Sequence, residues 1–202
     1  MQRLFDGYRR FRQDRWPERR RLFESLADAG QQPRALVISC ADSRVDPGMI
    51  FDAAPGELFV VRNVANLVPP YAPDGAYHGT SAALEFAVRV LQVPDIVVLG
   101  HALCGGVRAM LEGTPPEAGD FIAPWIGLAA RARDRALALP DPAQRQLCCE
   151  HETILLSLDN LRTFPWIADR IAAGTLRLWG MHFDIRGGEL SQPGPDGRFA
   201  PT

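Results

Sequence analysis

The stretch Ala35–Pro47 reads ALVISCADSRVDP. Its first five residues form a short apolar run bounded by polar positions, the pattern of a buried strand. Cys40, Asp42 and Arg44 follow directly, two residues apart. A thiol able to become a thiolate is thus set beside a carboxylate and a permanent cation. In open parallel α/β sheets the C-terminal ends of the strands converge on the ligand crevice. A strand that ends in this triplet therefore both announces the fold and places chemistry within it.

Three more runs have the same character: Leu58–Val61 (LFVV), Ile96–Leu99 (IVVL) and Leu176–Trp179 (LRLW). Helical periodicity separates them, over Thr80–Leu91, Val107–Leu111, and a long region from Asp120 to Leu161 broken near Pro140 and Pro142. Alternating strands and helices predict an α/β fold with a mostly parallel β-sheet flanked by helices on both faces. Residues 1–29 read as helical, with Leu4, Phe5, Tyr8 and Phe11 on one face and Leu22, Phe23 and Leu26 on another. Pro17 is expected to end a first helix and open a second. The Gly/Pro-rich tail Gly187–Thr202 reads as a surface loop or arm. The organisation expected is an N-terminal helical arm (1–30) on a single α/β catalytic domain (31–202), without internal repeats.

Composition narrows the function. The chain has 202 residues, 47% of them hydrophobic, and a formal charge of −2, so nothing global points to nucleic acid or a membrane. Every basic residue is arginine. That excludes Schiff-base lysine catalysis and a phosphate-cradling P-loop. Eight arginines crowd residues 1–21, but Asp6, Asp14 and Glu18 interrupt them, which suits a solvated helix face better than a nucleic-acid surface. Four cysteines, Cys40, Cys104, Cys148 and Cys149, are too few for a disulfide framework. No signal-peptide core or membrane-length apolar run is evident, so a cytoplasmic, reducing location is expected, where cysteines serve as metal ligands or catalytic groups.

A second cluster follows the third strand, in LGHALCGGVRAML (Leu99–Leu111). If the first and third strands are neighbours, Cys40, His101 and Cys104 meet at one edge. Two thiolates and one imidazole suit Zn²⁺, and three protein ligands leave a fourth tetrahedral position for water or substrate. A structural site closed by Cys148 or Cys149 is the alternative, although both lie in a helical stretch and read as packing residues. His78, His151 and His182 read as surface or helix residues rather than ligands.

The combined pattern, CxDxR at Cys40, Asp42 and Arg44 with HxxC-GG at His101, Cys104, Gly105 and Gly106, resembles the β-class carbonic anhydrases. PGELFVVRNVANLVPPY (Pro55–Tyr71), GTSAALEFAV (Gly79–Val88) and SLDNLRTFPWI (Ser157–Ile167) are similar to further segments of that family, so the resemblance spans roughly residues 30–190. It implies an enzyme, a lyase with one Zn²⁺ per chain, that reversibly hydrates carbon dioxide to bicarbonate and a proton. Attack would come from zinc-bound hydroxide oriented by an Asp42–Arg44 dyad. Two thiolates temper the metal's acidifying power, so help from a neighbouring carboxylate is reasonable, with Arg44 keeping Asp42 ionised and aimed. For substrate, the resemblance implies Gln31 as an amide donor, Phe59 and Phe86 as aromatic pocket walls, and Gly105 as a backbone N–H donor at a helix start. Phe86 stands where plant-type members carry tyrosine, so the ring is kept and the hydroxyl lost. No proton shuttle is evident; His78 is the weak candidate.

The family also contains members in which the aspartate closes the metal, some of them under the control of bicarbonate bound by Trp, Arg and Tyr. This chain has Arg62 but Val37 and Phe183 at the other two positions, so it is expected to lack that pocket and stay open near neutral pH. The resemblance further implies a homodimer or tetramer, which the aromatic, basic N-terminal helices would suit. The competing readings are a carbon disulfide or carbonyl sulfide hydrolase with the same ligands, and a non-catalytic metal-binding module.

Overall fold

The computed structural model describes residues 1–202. Its centre is a six-stranded sheet of β1 (Ala35–Cys40), β2 (Leu58–Asn63), β3 (Asp95–His101), β4 (Arg177–Asp184), β5 (Glu189–Pro193) and β6 (Phe199–Pro201), in the order β2-β1-β3-β4-β5-β6. The first four are parallel to their neighbours, and β5 and β6 extend the sheet antiparallel. The four runs seen in the sequence are thus the parallel core, and the short helices α3 (Pro47–Ile50), α6 (Ile122–Gly127) and α7 (Ala130–Leu137) lie in its connections. Leu36 pairs with Ile96 and Ser39 with Leu99, which makes β1 and β3 direct neighbours.

One face of the sheet is thoroughly covered. Leu36, Ile38, Ile96 and Val98 pack with Leu84 of α4 (Gly79–Glu85), Ile154 and Leu161 of α8 (Pro142–Leu161) and Ile167 of α9 (Pro165–Ala172), in a cluster of 15 buried residues. The sequence gives no separate expectation for α9; Pro165 opens it, where a missing N–H costs nothing. The opposite face has less cover than expected. Val37, Val97 and Leu99 are buried there against Phe51, Leu58, Met181 and Leu190, but Trp179 is 37% exposed and an apolar concavity remains.

The N-terminal segment departs from the expected break. α1 (Gln2–Arg10) runs through a π-helical turn (Phe11–Arg15) into α2 (Trp16–Ala29), with Arg15 and Trp16 both in the right-handed helical region. Pro17 lacks an N–H, and the wider turn before it absorbs that loss without ending the helix. No residue of α1 or α2 is buried, and Leu4, Phe5 and Tyr8 stand 68%, 52% and 62% exposed.

The tail is a second correction. Gly187–Thr202 is not a loose arm but contains β5 and β6. Leu190 and Phe199 pack on the two faces of the sheet; Pro201 sits in the edge strand β6, and Pro193 ends β5 beyond the residues paired with β4, so neither proline interrupts a ladder on both sides. No helix is long and apolar enough to cross a membrane.

Candidate active site

Cys40 is the last residue of β1 and His101 the last of β3. Cys104 precedes α5 (Gly105–Glu112), three residues beyond the strand. Adjacent parallel strands therefore deliver all three side chains to one edge of the sheet, where each is buried. Their ligand atoms lie within 4.8 Å of one another. The two sulfurs are 3.8 Å apart and the thiols are free. Two thiolates about 2.3 Å from one tetrahedral Zn²⁺ would be separated by about the same distance.

The imidazole supplies the sharpest test of fit. Nδ1 of His101 lies 2.9 Å from the carbonyl of Ala102, which makes it the N–H donor. Nε2 is buried and has no hydrogen-bond partner. A buried nitrogen lone pair facing two thiols, with the other ring nitrogen tied to a carbonyl, is the arrangement of a metal-ligating histidine. Backbone N–H groups prepare the sulfurs as well. Those of Asp42 and Ala65 face Cys40, and those of Gly106 and Val107 face Cys104. The hydrogen bond from Cys104 pushes the Cys40 thiol down to about 4, and the same bond pushes Cys104 up.

Asp42 and Arg44 stand beside this cluster. Arg44 Nε donates to Oδ1 at 2.9 Å and Nη2 to Oδ2 at 2.7 Å, while the Arg44 N–H also donates to Oδ1 at 2.9 Å. These bonds, foremost the side-chain ones, hold the Asp42 carboxyl far below the usual carboxylate range. Its Oδ2 lies 3.9 Å from His101 Nε2. Arg44 Nη2 also donates to the Leu103 carbonyl, joining the two motifs.

The second glycine of the pair has a packing reason. A Cβ on Gly106 would stand 2.7 Å from Val64 Cγ1 and 3.1 Å from the Ala65 Cβ. The turn at Ala65 and Asn66, both at positive φ, thus presses directly on the start of α5.

The expected pocket residues are distributed unevenly. Phe59 of β2 and Phe86 are brought together, with ring centroids 5.9 Å apart and planes 26° apart. Gly105 begins α5, directly after Cys104, as expected. Gln31 lies in the exposed segment between α2 and β1 and makes no hydrogen bond within the chain. His78 is paired with Asp74 at 2.6 Å. Cys149 is buried in the packing of α8 and Cys148 packs beside it; neither joins the metal-ligating group.

Three residues matter more than their sequence context suggested. His182 was expected at a surface or on a helix, but it is buried in β4, with Nε2 3.1 Å from Oε2 of a buried Glu150. Glu150 lies in phase with Ile154, Ser157 and Leu161 on the buried face of α8, and a carboxylate in step with a buried stripe was the available signal. Arg62 donates to the carbonyls of Cys40, Asp42 and Val45 at 3.0, 2.6 and 2.7 Å, strapping the loop that carries the dyad. Val37 and Phe183 share one apolar cluster.

A mostly parallel α/β sheet here presents two thiols and one free imidazole nitrogen at its strand ends, a Cys2His cluster that could hold a metal ion. Comparison with known proteins names the family. The family model for carbonic anhydrase matches residues 35–190. A carbonic anhydrase of Pseudomonas aeruginosa is 41% identical over 192 residues, covering 94% of this chain and 86% of that protein. The solved β-carbonic anhydrase CcaA superposes with a TM-score of 0.92 at 36% identity, over 100% of this chain and 92% of the other. A tetrameric β-carbonic anhydrase of the fungus Sordaria macrospora superposes at 0.75 with 29% identity, over 100% and 94%. The chain belongs to the β-carbonic anhydrase family, whose members are lyases that hydrate carbon dioxide.

Proposed function

We propose that this chain reversibly hydrates carbon dioxide to bicarbonate and a proton at a Zn²⁺ held by Cys40, His101 and Cys104. The observation that carries the reading is the buried, unpartnered Nε2 of His101 facing two thiols 3.8 Å apart. Bound there, Zn²⁺ would supply the acidity that makes water a nucleophile near neutral pH. Asp42 acts as hydrogen-bond acceptor and aims the nucleophile's lone pair toward carbon. Arg44 keeps that carboxylate ionised and oriented through a two-pronged contact. Phe59 and Phe86 form an apolar wall suited to a small apolar substrate, and Gly105 offers an N–H to a substrate oxygen. Gln31, exposed in its own chain, is the further amide donor.

The site is open near neutral pH in this reading. Asp42 is committed to Arg44, and Arg62 to backbone carbonyls, while Val37 and Phe183 offer no polar group to a second bicarbonate. A crystal structure at about pH 8 with Asp42 bound to zinc would overturn this part.

The arm (1–30) and the catalytic domain (31–202) serve assembly into a homodimer or tetramer. Supporting this are the exposed Leu4, Phe5 and Tyr8 of α1 and the apolar concavity lined by Val37, Val97, Trp179 and Met181. A soluble chain rarely leaves two such surfaces uncovered.

Stopped-flow measurement of carbon dioxide hydration, with zinc quantified on the same sample, tests the reading. One zinc per chain with rapid hydration supports it. Zinc without hydration overturns it in favour of a carbon disulfide or carbonyl sulfide hydrolase or a binding module.

A further inference from the structure

Glu150 is the one carboxylate among the buried residues, 2% exposed, and the dyad chemistry does not use it. An isolated buried carboxylate is costly, so its partners reveal what holds it there. Oε1 accepts from the backbone N–H of Cys104 at 3.1 Å and from Nε2 of Gln146 at 2.7 Å; Oε2 faces His182 Nε2 at 3.1 Å. Gln146 lies one helical turn before Glu150 on α8, and its Nε2 donates a second time, to the Cys104 carbonyl at 3.1 Å. One turn of α8 therefore grips both backbone polar groups of Cys104.

The residue just before Cys104 explains why a grip is needed. Leu103 has φ +58°, in the left-handed region that bulky side chains enter only when their surroundings hold them. Its carbonyl is fastened by Arg44 at 3.0 Å. If the Cys104 peptide were released, Leu103 could relax toward an ordinary conformation and swing the sulfur away from Cys40 and His101.

We propose that Glu150 and Gln146 are positioning residues that clamp the Cys104 backbone, hold the strained turn at Leu103, and so set the geometry and affinity of the metal site. The proposal rests on the reading of Cys40, His101 and Cys104 as a zinc centre. His182 completes it by occupying the far oxygen of Glu150, which leaves the near one for Cys104. Gln146 contributes both amide hydrogens, one to Glu150 and one to Cys104, so neither α8 residue is replaceable by a purely apolar one.

The test compares full-length E150A, E150Q and Q146L with the unaltered protein. E152Q, on the same helix but paired with Arg135 at 2.6 Å, is the control. Zinc affinity is measured by competition with a chromophoric chelator, and site geometry by the absorption bands of the Co²⁺-substituted protein. E150A and Q146L should bind zinc about 10–100-fold more weakly, with displaced thiolate-to-cobalt bands. E150Q should be restored to within a few-fold, because its amide oxygen can still accept from Cys104. E152Q should match the unaltered protein. Should E150A not fold, Q146L carries the comparison, since it leaves the Glu150–His182 contact in place. Unchanged affinity and cobalt bands in folded E150A or Q146L would overturn the clamp and leave Glu150 a structural buried pair. Absence of thiolate-to-cobalt bands in the unaltered protein would instead overturn the zinc reading itself.

Discussion

Arg44 meets Asp42 through two parallel hydrogen bonds, Nε to Oδ1 at 2.9 Å and Nη2 to Oδ2 at 2.7 Å, and the same Nη2 reaches the Leu103 carbonyl at 3.0 Å. One side chain thus fixes the carboxylate and touches the turn that carries the second thiol. Arg44→Lys keeps the charge but not the planar fork. It is expected to lower kcat/KM for hydration by about 10–100-fold while leaving zinc content near one per chain. A lysine variant with the original kcat/KM would show that orientation of Asp42 by the fork is not needed.

Removal of a ligand should act differently. Cys40→Ser, Cys104→Ser and His101→Asn each leave a poorer donor among buried neighbours. Each variant is expected to purify with much less than one zinc per chain and to lose hydration, because two remaining ligands hold Zn²⁺ weakly. Metal analysis alongside the rate decides this. Full zinc occupancy in all three variants would place the metal elsewhere.

Gly106→Ala tests the close approach between α5 and the turn before it. The added methyl would lie 2.7 Å from Val64 and 3.1 Å from Ala65, whose φ of +63° leaves that turn little freedom to move. Overpacking of this kind costs about 1–3 kcal/mol. Urea unfolding should report a loss in that range, whereas Gly105→Ala, with open space at its Cβ, should be nearly neutral for stability.

The parallel core and the meeting of Cys40, His101 and Cys104 were legible because they rest on local signals. Four β-rich runs end at strand tips, and CxDxR and HxxC carry their own spacing. What escaped the sequence reading depends on distant partners. Pro17 signals a helix break by itself, but the π-helical turn at Phe11–Arg15 absorbs it. Gly187–Thr202 has loop composition, yet Leu190 and Phe199 find apolar partners and draw it into the sheet. His182 and Glu150 are ordinary polar residues in sequence, and only the packing of α8 against β4 makes them a buried pair. The thinner cover of the sheet's second face could not be foreseen from strand patterns, which give the same apolar run whether or not a face is fully covered.

The proposed assembly predicts that the exposed face of α1 controls oligomeric state. Phe5→Asp or Tyr8→Asp places a charge on that face without disturbing any buried residue of the chain. Sedimentation of the unaltered protein should give a dimer or larger species, and the variants should shift it toward monomer at micromolar concentration. A chain already monomeric would remove the arm from assembly.

His151 gives the pH dependence of stability a specific source. Its ring stacks on Phe199 of β6, with centroids 3.9 Å apart, and stands edge-on to His182 of β4 at 4.8 Å. Burial foremost, then the neighbouring His182, pushes it down to about 4, against a partial pull upward from Glu150 on its own helix. The unfolded chain takes this proton near 6.5. Between those values the unfolded state binds more protons than the folded one. The contribution is therefore complete above about pH 6.5 and is lost as pH falls toward 4. Because the ring is partly exposed, a discounted loss of about 1–2 kcal/mol is expected. In a protein of this length that is several degrees in Tm. His151→Phe keeps an aromatic partner for Phe199 and removes the proton, so its Tm should fall less across the same window. Thermal unfolding of both proteins from pH 7.5 to 4 makes the comparison, and identical pH profiles would assign the acid sensitivity to groups other than His151.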